Sequence, residues 1–154
     1  MILELIENNS IILQENQNEY MCILNSSILE KYSEQWKFNR NLSNDKINQI
    51  KSIIKNKSIL DTVLHFFYYN FNNEEKLICF DGNHRREALI LLYDIENIDI
   101  KVCCYIYKNI TPTNLDKEIV DKFRIINQMT PIPNIYNDII NNLDTNYDLI
   151  QKKI

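Results

Sequence analysis

Glycine and alanine are almost absent. The 154 residues contain one Gly, Gly82, and one Ala, Ala88, against 27 Ile and 23 Asn. Ile, Asn and Lys have A/T-rich codons, so the shortage reads as an A/T-rich coding sequence, of a microbe or a large DNA virus. Such a genome drains Gly and Ala wherever the structure allows it. By the same argument Asn72-Asn73 and Asn141-Asn142 read as drift. No apolar run approaches the ~20 residues that span a bilayer, which excludes a mainly membrane-embedded chain. The start, Met1 to Glu7, has acids and no basic flank, unlike a secretory signal. There is no C-x-x-C pair among Cys22, Cys79, Cys103 and Cys104, and the histidines are His65 and His84 alone. Cys103 and Cys104 are adjacent in a strand-like run and point to opposite faces, so they cannot chelate one ion together. Buried reduced thiols in a cytoplasmic protein are expected, rather than a zinc site.

What is present is globular composition: 45% hydrophobic and 25% charged. Disorder is excluded on that ground. The net charge of -4 is unevenly spread. Residues 1–36 are net acidic, whereas 37–57 hold six bases (Lys37, Arg40, Lys46, Lys51, Lys55, Lys57) and one acid, Asp45. An acidic chain binds DNA poorly without specificity, but this block could face a phosphate of nucleic acid. A solvated helix face is the plainer account.

Periodicity divides the chain into elements. Residues 2–6 and 10–14 read as the strands of a hairpin and 20–24 as another strand. Ser43 is an N-cap, and Ile47, Ile50, Ile53 and Ile54 repeat at helical spacing to about Lys57. The β-branched and aromatic stretch 59–69 reads as a strand, 70–75 as a turn and 76–80 as a strand. A helix is expected over 83–93, a period-two strand over 98–107, and a helix over 115–129 with Leu115, Ile119, Val120, Phe123 and Ile126 inward. Trp36 and Phe38 read as an apolar lid, and His65 as a packed or edge histidine. The fold expected is α+β, a small mixed sheet flanked by helices over residues 1–133, with a helical C-terminal tail at 134–154.

Chemistry concentrates in 76–92, where Leu77 to Leu92 read L-I-C-F-D-G-N-H-R-R-E-A-L-I-L-L. Both scarce residues, Gly82 and Ala88, fall here. Gly82 lies where a buried strand turns into a helix, and glycine there takes a positive φ and lets a ligand approach the backbone. Ala88 lets the helix pack closely on the sheet. The helix starts near Asn83, where unpaired N–H groups and the positive end of the dipole attract anions. His84, Arg85 and Arg86 are cations or donors at that same end, unfavourable there unless a negative ligand offsets them. Asp81 reads as an N-cap, a Mg²⁺-binding carboxylate or a base.

D-G-N-H-R-R-E-A resembles the signature of the ParB/sulfiredoxin superfamily, in which G-E-R-R-x-x-A, G-C-H-R, D-G-H-H-R and D-G-Q-H-R variants occupy this turn and hold nucleotide phosphates. K-F-N-R-N-L-S-N-D-K-I (37–47) is similar to the polar-x-Arg-then-helix pattern of ParB and places Arg40 where that family has a phosphate-facing Arg. F-R-I-I-N-Q-M-T-P-I-P (123–133) is similar to a segment of the D-G-Q-H-R proteins and aligns Asn127 with the Asn of the ParB E-N-x-x-R helix. The resemblance covers about 36–133.

It implies a nucleotide site of Gly82, Asn83, His84, Arg85, Arg86, Arg40 and Asn127 for ATP or CTP. Asp81 would bind Mg²⁺ or orient water, and Asp81 and His84 would be catalytic. Departures narrow this. Asn83 stands at the sulfiredoxin nucleophile's position, and an amide cannot attack, so sulfinic-acid repair is excluded. Ile126 and Thr130 replace the Glu and Arg of E-N-x-x-R, and no helix-turn-helix follows. Two functions remain open: an NTP-dependent phosphohydrolase or nuclease, or a non-catalytic nucleotide- or nucleic-acid-binding module acting through a protein partner or a second copy of the chain.

Overall fold

A computed structural model describes residues 2–9, 11–39, 41–108, 111 and 113–128. The chain divides into two compact units, Met1–Asn109 and Ile110–Ile154. The tail expected at 134–154, Asn141-Asn142 and Arg40 lie outside the described residues.

The first unit is α+β. In chain order it holds α1 (Ile2–Asn9), β1 (Ile11–Glu15), β2 (Glu19–Asn25), α2 (Ser26–Tyr32), β3 (Ser33–Gln35), α3 (Asn44–Lys57), β4 (Leu64–Phe71), β5 (Glu74–Asp81), α4 (Asn83–Glu96) and β6 (Lys101–Tyr107). The six strands form one mixed sheet in the order β1-β2-β6-β4-β5-β3. Pairs β4/β6 and β3/β5 are parallel, and the other three are antiparallel. The second unit is described by α5 (Leu115–Gln128), where Leu115, Ile119 and Val120 are buried.

Alternation along the strands gives the sheet two faces. Cys22 and Leu24 of β2, Val102, Cys104 and Ile106 of β6, Leu64 and Phe66 of β4, and Leu77 and Cys79 of β5 form one core. Ile2 and Ile6 of α1, Leu29 of α2, Ile47 and Ile54 of α3, and Ala88, Leu89 and Leu92 of α4 complete it. The opposite face is an aromatic layer. Phe67 lies 4.9 Å from Phe80 and 5.0 Å from Tyr107, centroid to centroid. Tyr105 and Tyr107 are 4.8 Å apart.

Several expectations change. The hairpin is β1–β2, and residues 2–6 belong to a helix. Ile2 and Ile6, four apart, point into the core, and the Ile2 N–H at the helix start donates to the Glu75 carboxylate at 2.8 Å. The strand expected over 59–69 begins at Leu64. The turn at 70–75 shrinks to Asn72-Asn73, both with positive φ (53° and 61°). Two-residue hairpins require that conformation and asparagine tolerates it, so this pair is turn chemistry, not drift. Helix α2 and the short β3 were not expected. Ser43 caps α3 as expected, accepting from the Lys46 N–H.

Candidate functional site

The strand–glycine–helix turn forms at the predicted place. Gly82 joins β5 to α4 with φ +94° and ψ 26°, and its carbonyl accepts the first bond of the helix, from the Arg86 N–H at 2.8 Å. With Gly82 as N-cap, no side chain caps α4, and its first turn contains no acid. The glycine is required for a reason other than ligand access. A Cβ at 82 would lie 2.5 Å from Leu64 Cδ2 and 3.0 Å from an Arg85 guanidinium nitrogen. The chain's own side chains fill the space that a ligand was expected to use.

The four residues after Gly82 have different fates. Asn83 is 8% exposed. Its Nδ2 donates to the Cys79 carbonyl at 3.0 Å, which leaves Oδ1 buried without a partner. His84 Nε2 accepts from the Ser43 N–H at 2.9 Å. That nitrogen therefore carries no proton and ties the start of α4 to the start of α3. Arg85 folds back over Gly82, 3.7 Å from Asp81 Oδ2, with its side chain 24% exposed. Arg86 is buried. Its Nε donates to Ser33 Oγ at 2.8 Å and its NH2 to the Ser33 carbonyl at 2.6 Å. Arg86 thus ties α4 to β3 through Nε and NH2, and its NH1 lies 3.7 Å from Glu87 Oε2.

Asp81 is not the N-cap. A bulge puts it opposite His65: Phe66 pairs with Cys79, but His65 pairs with Asp81, so Phe80 is the extra residue on β5. In a regular ladder without the bulge, Phe80 would stand opposite His65 and Asp81 would follow the parity of Leu77 and Cys79 toward the helices. Instead its Oδ2 lies 4.0 Å from His65 Nε2. His65 stacks on Tyr105 at 5.8 Å and on Tyr107 at 6.5 Å. Burial lowers its pKa below the usual histidine value, Asp81 pulls it up and Arg85 pushes it down again. Its Nδ1 is buried with no partner. The two orphaned polar atoms among the described residues therefore sit on either side of one turn. His65 is packed, as the sequence leads one to expect, but no motif marks its approach to Asp81.

Asn39 and Ser43 are also tied to this turn. The Asn39 Nδ2 donates to the Cys79 carbonyl at 3.3 Å, the acceptor that also holds Asn83, and Ser43 bonds to His84. Asn127 lies in α5, in the second unit, and its side chain is outside the described residues. Asp81 has an imidazole and a guanidinium beside it, whereas Mg²⁺ asks for a cage of oxygens. Among the described residues no group of three or more His, Cys, Asp and Glu could hold a metal ion.

The basic block is partly paired within the chain. Lys51 and Lys55 reach Glu96 at 4.0 and 2.5 Å, and Lys57 reaches Asp61 at 3.9 Å. No helix among the described residues is long and apolar enough to cross a membrane. No family model, curated protein or solved structure matches the chain.

Proposed function

We propose that the protein binds the phosphate of a nucleotide at the Asp81–Arg85 turn, as a ParB-like module acting through a partner in nucleic-acid metabolism. One observation carries the reading. A 14-residue helix opens at a glycine with no capping side chain and no acid in its first turn, yet with His84 and Arg85 there. The dipole end favours an anion, and a guanidinium can clamp two phosphate oxygens at once. Mg²⁺ would arrive with the nucleotide, since the donors around Asp81 do not form a cage for it.

The test is calorimetric titration with ATP, CTP and pyrophosphate for the wild type and Arg85→Ala. Loss of Arg85 weakens binding by about 1.5–3 kcal/mol, the worth of a charged hydrogen bond, and Arg85→Lys restores part of it. Wild-type protein that binds none of these ligands refutes the reading. Hydrolysis is a second reading, favoured by the His65–Asp81 approach. It gives the acid/base role to His65, because His84 Nε2 already accepts the Ser43 N–H. Phosphate release that survives both His65→Gln and Asp81→Asn would exclude that pair as its source.

A further inference from the structure

Asp81 is awkwardly placed for an anion site. It directly precedes Gly82, and its Oδ2 faces both Arg85 (3.7 Å) and His65 (4.0 Å). Both separations exceed hydrogen-bond length. The Arg85 guanidinium meanwhile covers Gly82, its carbon 3.3 Å from where a Cβ would stand. Arginine and glycine together close the approach that the helix start would otherwise offer. At the same helix start Asn83 is more than nine-tenths buried with an orphaned Oδ1. An ionised phosphate carries no proton for that oxygen, so Asn83 takes no part in the anion contact and is held instead by its Nδ2 on the Cys79 carbonyl.

We propose that Asp81 is an internal competitor for the ligand: in the empty protein it holds Arg85 over Gly82, and the incoming phosphate displaces it. The proposal rests on the phosphate-binding reading. A carboxylate and a phosphate seek the same face of a guanidinium, and two anions side by side repel. Once Arg85 swings to the phosphate, Asp81 keeps His65 as its neighbour. Asp81 thus weakens binding of every anion, and a ligand of higher charge than a carboxylate, such as a di- or triphosphate, wins the exchange. This is the opposite of the role a metal-binding or ligand-binding Asp81 would have.

The experiment is calorimetry with pyrophosphate, free of divalent metal, on the full chain. Wild type, Asp81→Asn, Arg85→Ala and the double variant are compared, with melting temperatures as a check on folding. Asp81→Asn binds roughly three- to tenfold more tightly than wild type, and the gain disappears when Arg85 is already Ala. Asp81→Ser gives the same gain, which separates lost competition from any contact made by the new amide. Unchanged or weaker binding by folded Asp81→Asn and Asp81→Ser, with wild type binding normally, overturns the competitor alone. If wild type and both Asp81 variants all fail to bind pyrophosphate, the phosphate-binding reading falls and the competitor with it.

Discussion

Gly82→Ala tests the turn without reference to any ligand. Two costs add. The backbone sits at φ +94°, where a side chain is strained by about 1–3 kcal/mol. The new methyl would also meet Leu64 Cδ2 at 2.5 Å, and Leu64 is fully buried, so it cannot move aside freely. Overpacking of that kind costs about 1–3 kcal/mol. The sum, about 2–6 kcal/mol, is a large part of the ~5–15 kcal/mol by which a domain is stable. At roughly 2–4 °C per kcal/mol for this size, the melting temperature falls by about 4–24 °C.

Urea unfolding read by fluorescence measures this directly. Trp36 is the sole tryptophan and is 2% exposed, so it reports the first unit. Its backbone N–H donates to the Cys79 carbonyl at 2.9 Å, on the strand that leads into the turn. The second half of the test is the same substitution in a Leu64→Val background, which removes the Cδ atoms. There the steric part vanishes and only the backbone strain remains. A loss below about 1 kcal/mol in the wild-type background would refute the strain argument. An equal loss in both backgrounds would refute the contact with Leu64.

Three other outcomes follow from the geometry. Arg86→Ala costs about 2–3 kcal/mol, because it removes two bonds from a buried guanidinium and leaves the Ser33 carbonyl short of a donor; calorimetry on the folded fraction then shows pyrophosphate affinity unchanged. His65 takes up a proton less readily in the fold than at its ordinary value of 6.5. The unfolded chain thus binds more protons as pH falls through about 6.5, so stability is full above that value and declines below it. Urea midpoints between pH 7.5 and 5 fall less steeply for His65→Phe than for wild type, and equal slopes would show that His65 contributes nothing. In native protein an alkylating agent modifies Cys103 ahead of the other thiols, since Cys22, Cys79 and Cys104 are buried and burial pushes the Cys22 and Cys79 thiols up to about 12. Mass spectrometry of peptides labelled at Cys79 before Cys103 would contradict this order.

Where local chemistry decided, the sequence was readable. Ser43 before an isoleucine stripe and the Gly82 junction each became the element expected, and the alternation from 98 became β6, though only from Lys101 onward. Where a distant partner decided, it was not. Residues 2–6 form an apolar run that suits strand or helix equally, and what holds the helix is Glu75, far along the chain, accepting from Ile2. Strand β3 is three polar and charged residues, Ser33 to Gln35, that become a strand only through pairing with β5. Asn72-Asn73 looks like codon drift by composition, and only the pairing of β4 with β5 shows that a two-residue turn needs positive φ at both positions.

The site divides on the same line. That cations gather at a helix start was legible, but not which of them faces the turn. Arg85 and Arg86 are adjacent and of one type, yet successive helical residues point about 100° apart. One folds over Gly82 toward Asp81, and the other is spent on Ser33. A motif that lists both as phosphate ligands merges a charge that faces the turn with a structural tie. His65 was hidden for a different reason. Its meeting with Asp81 depends on one extra residue, Phe80, in β5. Nothing in L-I-C-F-D announces a bulge, and a regular ladder would have turned the carboxylate toward the helices and left the imidazole among tyrosines. A shift of one residue thus decides whether Asp81 can hold Arg85 beside His65, or neither.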